Sequence, residues 1–167
     1  MPYWRPYVPV AQRRAKAERK MAALAKKGKK IQPVQIDGRT IAKSFWGKGW
    51  CTHLEQFSDY SNRLPRGETY ARNGSVVHLE VFAGRIEAKV VGSDIYNITI
   101  KITPLKSAIW KRIKKKTVGQ IGSVLELLQG ALSDEVMRIV TDPKDGLFPK
   151  PREISLDCSC PDWAVMC

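Results

Sequence analysis

Ser75-Val76-Val77-His78-Leu79-Glu80-Val81-Phe82-Ala83-Gly84-Arg85-Ile86-Glu87-Ala88-Lys89-Val90-Val91 is the stretch whose reading decides the fold. Side chains along a strand point alternately to opposite faces, and that period runs through both halves. In the first half Val77, Leu79 and Val81 oppose Val76, His78, Glu80 and Phe82; in the second, Ile86, Ala88 and Val90 oppose Arg85, Glu87 and Lys89. Ala83-Gly84 between them reads as a two-residue hairpin turn. Gly92 to Asp94 turns the chain again into Ile95 to Thr103, where Ile98, Ile100 and Ile102 share a face. The expectation is a three-stranded antiparallel meander with one packed and one wet side.

Beyond Pro104 the apolar period becomes helical. Leu105 to Lys116 reads as a helix anchored by Ile109, Trp110 and Ile113. Thr117 to Gln129 reads as a second, with Val118, Ile121, Val124, Leu125 and Leu128 inward and Gly130 at its end. Ser133 caps a third, with Asp134 and Glu135 in its first turn. Asp142 to Pro151 breaks regular structure, and Arg152 to Asp157 is a short strand that delivers Cys158.

Upstream of the hairpin, Ser61 to Gly74 reads as a turn-rich loop with Arg63, Arg66 and Arg72 around Tyr70. Phe45 to Phe57 places Trp46, Trp50, Leu54 and Phe57 on one buried helical stripe. Cys51 and His53, two apart on that helix, do not face each other, so they read as a packed cysteine and a surface histidine. Lys29 to Thr40 is a linker. Ala11 to Lys27 is made of strong helix formers, but its apolar residues are small, so that helix needs a support. Met1 to Val10 carries Pro2, Pro6 and Pro9 among Tyr3, Trp4 and Tyr7 and favours an extended course. The fold class is α+β, with a basic N-terminal arm (1–30), an α+β body (31–151) and a cysteine-bearing C-terminal segment (152–167).

Three of the four cysteines, Cys158, Cys160 and Cys167, fall in the last ten residues as Cys-x-Cys-x6-Cys. Two cysteines separated by one residue make a strained disulfide, yet both sulfurs are free to meet one soft metal ion. The pattern predicts Zn2+ on these three thiolates. Cys158-Ser159-Cys160-Pro161-Asp162-Trp163 followed by Cys167 resembles the start of a SWIM zinc finger. The likeness continues upstream in Ser44-Phe45-Trp46-Gly47-Lys48-Gly49-Trp50, in Arg63 to Gly74 and in Gly146-Leu147-Phe148-Pro149, as in the prokaryotic type. The histidine of the pattern's final Cys-x-His falls two positions beyond Cys167, which leaves the fourth place to water, a partner's side chain or nothing at all. The resemblance implies a nucleic-acid- or protein-binding factor, some members of the group being encoded near helicase-like ATPases.

Charge points the same way. The net charge is +13, and residues 1–30 hold ten basic residues against Glu18 alone. Blocks of one sign on an arm suit polyanions. The candidate contacts are Arg5, Arg13, Arg14, Lys16, Arg19, Lys20, Lys26, Lys27, Lys29 and Lys30 on the arm, Arg63, Arg66 and Arg72 in the loop, and Lys111, Arg112, Lys114, Lys115 and Lys116 on a helix. Phosphates are the expected support of the arm helix. No triad, acid pair, histidine cluster or phosphate-cradling glycine motif is recognisable, which argues against catalysis. No apolar run reaches the ~18 residues of a membrane helix, and the polar Met1 to Val10 stretch does not read as a signal peptide, so a cytoplasmic protein is expected. Two classes remain. One is a nucleic-acid binder, RNA favoured over DNA and suited to a large ribonucleoprotein such as the ribosome. The other is an adaptor for a protein partner such as a helicase-like ATPase.

Overall fold

Strand pairing builds the architecture. A computed structural model describes residues 8–120, 128–129, 132–164 and 166–167. The strands β1 (Val76–Phe82), β2 (Arg85–Val91), β3 (Ile95–Ile102) and β4 (Ile154–Cys158) form one antiparallel sheet in the order β1-β2-β3-β4. The expected three-stranded meander is therefore extended by a fourth strand. The segment before the cysteines is not a separate finger stem but pairs with β3 from Ile102↔Ile154 to Ile98↔Cys158. At the hairpin, Phe82 pairs with Arg85 across the two-residue turn, and Gly84 there takes the left-handed conformation (φ +69°) that suits glycine.

The alternation expected along β1 fails at one point. Val76 pairs with Val90 and His78 with Lys89, so Val77 is an extra residue in a bulge. The bulge turns Val77 and His78 to one side and Leu79 and Val81 to the other. Val77, wholly buried, joins Val91 and Ile95 on one end of that first side, while Val81 on the opposite side is 67% exposed.

Helix α1 (Val10–Lys26) covers the Val77 end. Buried Ala17 meets Val77 and Val91, flanked by Met21 and Leu24. Lys16 Nζ donates to the carbonyls of Gly92 and Ser93, at 2.8 Å each, and Lys20 pairs with Asp94 at 3.4 Å. The expectation that phosphates support this helix is thus corrected. A small residue at position 17 lets the helix approach closely, and the sheet is its support. The linker that follows lies along the outer edge of β1. Leu79 N donates to Gln32 O, Val34 N to Val76 O, and Gln32 N to His78 Nδ1. An edge that would otherwise present unpaired backbone groups is covered.

The other helices form a second packing unit. Ser44 caps α2 (Phe45–Glu55), its hydroxyl accepting from Gly47 N at 3.1 Å. A single turn, α3 (Ser58–Ser61), leads to α4 (Leu64–Arg72). The expected loop at Ser61 to Gly74 is thus mostly helix: Pro65 sits in the first turn, where its missing N–H costs nothing. α5 (Ser107–Thr117) packs on α6 (Asp134–Val140) through Ile113, Val136, Met137 and Val140, with Ile109 and Leu147 alongside. Ser133 caps α6 as expected, accepting from Val136 N.

Two burial expectations are overturned in α2. Trp46 is exposed, and His53, expected at the surface, is 3% exposed. The reason lies far along the chain. Phe148 packs edge-on against Trp50 (5.0 Å between centroids) and lies 5.3 Å from the His53 ring, Phe57 closes the other side at 4.9 Å, and Nε2 of His53 donates to Pro149 O at 2.9 Å. Trp110, expected as an anchor of α5, is half exposed, with Lys114 over its ring at 5.6 Å. Val118, expected inward, is extended and 77% exposed, and Leu128 is also exposed. Of the helix expected over Thr117 to Gln129, Thr117 ends α5 and residues 118–120 leave the helix, while residues 121–127 lie outside the described residues, as do Tyr3, Trp4, Arg5 and Tyr7.

Candidate metal centre

The thiol cluster grows directly out of the sheet. Cys158 is the last residue of β4 and pairs with Ile98, which places it on the apolar side of the sheet, away from α1. Ser159 continues the ladder: its N–H donates to Asn97 O at 3.0 Å and its hydroxyl accepts from Asn97 N at 2.9 Å. Pro161 and Asp162 then turn the chain. Asp162 Oδ1 accepts from Ala164 N at 3.1 Å, while Oδ2 accepts from Arg63 Nη1 at 3.0 Å, so the turn is pinned to the start of α4.

The turn brings the sulfurs of Cys158, Cys160 and Cys167 within 4.8 Å of one another. A tetrahedral zinc ion about 2.3 Å from each sulfur sets them about 3.8 Å apart, so a small closure completes three corners of such a shell. All four cysteines, Cys51 included, are free of disulfides. Burial pushes the Cys158 thiol up. It pushes Cys167 up to about 12, helped by hydrogen bonds to the other two sulfurs. Cys160 is held below its ordinary value by the Asp162 N–H that donates to its sulfur, and by Cys167. The three sulfurs thus hydrogen-bond to one another, and an ion bound by all three would displace their protons.

The expected phosphate-binding residues fare unevenly. Several are engaged within the protein. Lys16 and Lys20 hold the β2–β3 turn, Arg14 donates to Arg72 O, Arg19 to Ala15 O, and Lys30 pairs with Glu80 at 2.7 Å. Arg63 pairs with Asp162, Arg72 with Glu68 at 2.8 Å, and Arg112 with Asp145 at 2.8 Å. Among the described residues, Lys26, Lys27, Lys29, Arg66, Lys111, Lys115 and Lys116 take part in no ion pair. They belong to different packing units, since α1 lies on the sheet and α5 on α6.

Sequence reasoning missed the Arg63–Asp162 pair, because its members lie 99 positions apart. The proline in the first turn of α4 was the local signal that Arg63 begins a helix.

The fold and site define an α+β protein with a thiol cluster at one edge of its sheet. No family model matches the chain, and no solved structure matches it. It is similar to the uncharacterized protein Rv2102 of Mycobacterium tuberculosis, with 36% identity over 130 residues, covering 76% of this chain and 47% of that protein. The chain thus spans about half the length of this relative.

Proposed function

We propose that the protein is a non-catalytic, cytoplasmic nucleic-acid-binding factor, RNA favoured, whose C-terminal turn is fixed by a structural zinc ion as in a SWIM-type finger. The observation that carries this reading is the net charge of +13, together with lysines on α5 and at the end of α1 that take part in no ion pair among the described residues. Lys111 and Lys115 stand one helical turn apart, with Lys114 and Lys116 beside them. Cations so placed attract phosphate backbones and release counterions on binding. Zinc supplies folding free energy to the turn when three thiolates close on it.

Removing the arm is a poor test, because it uncovers Val77 and Val91. A cleaner one replaces Lys26, Lys27, Lys29, Lys111, Lys115 and Lys116 with glutamine and follows a labelled RNA by fluorescence anisotropy over a salt series. Affinity should fall uniformly across sequences, and the slope against salt should drop by about one for each phosphate no longer neutralised. Salt-independent binding, or none at low salt, sinks the reading. Metal analysis of purified protein tests the ion; less than about half an equivalent of zinc argues against the site.

A second reading, a protein-interaction adaptor, is favoured by the exposed Leu79 and Val81 on the apolar side of the sheet and by Phe82 beside them. It predicts a partner protein that stays bound after nuclease digestion.

A further inference from the structure

A cavity of about 350 Å3 lies on the apolar side of the sheet, between α4 and the cysteine turn. Its floor is Val76, Val90 and Ile98, one residue from each of three strands. Tyr70 of α4 and Tyr96 of β3 stand at its side, and Arg66 lies one helical turn before Tyr70. The edge is a built one. The Tyr96 hydroxyl is hydrogen-bonded to Ser93, and its ring lies so close over Gly92 that a Cβ there would stand 2.8 Å from ring carbon Cε2. The Tyr70 hydroxyl is 3.8 Å from the same point, which brings the two tyrosines to one margin of the cavity. Lys16 holds the carbonyls of Gly92 and Ser93 from behind.

The size lies within the range of ligand pockets. The lining combines an apolar floor, two aromatic rings and the Arg66 guanidinium with the three sulfurs of the cysteine turn and the Asp162 carboxylate, whose charge the Arg63 pair offsets. Arg63 is committed to Asp162, whereas Arg66 acts on the same carboxylate only at longer range and takes part in no ion pair among the described residues. Flat rings that carry an anion one sugar away fit such a lining: the ring stacks on aromatic faces and the fork of an arginine takes the phosphate. We propose that the cavity receives one unpaired base of a single-stranded RNA against Tyr70 and Tyr96, with the adjacent phosphate on Arg66. The proposal rests on the nucleic-acid reading and deepens it. Charge alone attracts duplex and single strand alike, whereas a pocket for a splayed base prefers the single strand.

The test is fluorescence anisotropy on the full chain with a labelled RNA decamer of mixed sequence, its duplex, and the DNA decamer of the same sequence. The single-stranded RNA should bind about tenfold or more tighter than the duplex. Tyr70→Ala should weaken it by about 5- to 100-fold, the range of one base–aromatic stack, leave duplex binding alone, and be rescued by Tyr70→Phe. Arg66→Ala, at the rim, gives the same selective loss without touching the floor and serves if Tyr70→Ala fails to fold by circular dichroism. Equal affinity for single strand and duplex, or selective variants without effect while salt dependence persists, overturns the pocket and leaves the electrostatic reading standing. Tighter binding of the DNA decamer overturns the assignment to RNA. No binding of any probe at low salt overturns both.

Discussion

Asp162 does three things within a single turn. Its N–H donates to the Cys160 sulfur, one carboxylate oxygen accepts from Ala164 N, and the other accepts from Arg63. Groups that orient metal ligands without touching the ion typically contribute 10–100-fold to affinity, so Arg63→Ala should weaken zinc binding by about tenfold in chelator competition. Unchanged affinity would mean that the turn holds itself. The Ala164 N–H, and then Arg63, keep the Asp162 carboxyl below the usual carboxylate range. Its contribution to stability is therefore complete above the unfolded value of about 4 and is lost as pH falls through the lowered folded value. The thiols run the other way. Cys158 and Cys167 are raised in the fold, so in the metal-free protein their contribution is complete below the unfolded thiol value of about 8.5 and fades as pH climbs through the raised ones. Zinc on the proposed site would reverse that sign, because an ion that binds thiolates expels their protons. Apparent zinc affinity should accordingly fall from pH 8 to pH 6, by up to about tenfold per pH unit for each proton displaced. Between pH 6 and pH 8 metal-free stability, followed by thermal melts, should fall far less than zinc affinity, its losses lying at alkaline pH for the raised thiols and at acid pH for Asp162.

At the scale of elements, the N-terminal helix shows what a sequence reading weighs wrongly. The helix itself was legible from its composition, and so was the hairpin from its alternation. What α1 lies on was not legible, because the partner of Ala17 is a valine that a bulge turns toward it, and a bulge is set by the register of the neighbouring strand rather than by a local pattern. The same holds for His53, whose burial depends on Phe148 and Pro149, nearly a hundred residues on. α4 was hidden by Pro65 and Gly67, which suggest a loop unless the proline falls in the first turn. Val77→Ala should cost about 2 kcal/mol through the cavity it leaves, read by denaturant unfolding. Ala17→Glu should free α1 without dissolving the sheet, because the buried carboxylate has no partner there. Limited proteolysis would then cut within residues 10–26 faster than in the parent protein. Equal cutting rates would show that the polar anchors Lys16 and Lys20 hold the helix alone.

Across the whole molecule, the segment from Gly146 to Cys158 stitches the parts together. Leu147 packs on the α5–α6 core, Phe148 on α2, and Pro149 accepts from His53. A single 3-10 turn at Pro151–Glu153 then lets the chain enter β4. Its first residue must be glycine, since a Cβ would collide with Asp142 O and stand 2.6 Å from Val140 O. Gly146→Ala should therefore lower the thermal midpoint of the whole chain rather than loosen one loop, and a local effect seen by hydrogen exchange would contradict the stitching. The cysteine motif was readable in the sequence, but its attachment was not. Nothing local in Ile154 to Cys158 says that it pairs with β3 rather than standing apart.

That attachment has a mechanical corollary. Since the Ile98↔Cys158 rung and the Asn97–Ser159 bonds continue one ladder into the cysteine turn, removing an ion from the proposed site should unfasten the outermost strand like a zip opened from its end. When zinc-loaded protein is treated with a chelator, the amides of Asn97 and Ser159 should lose protection first and those beside Ile154 last, a graded readout of loading by hydrogen exchange.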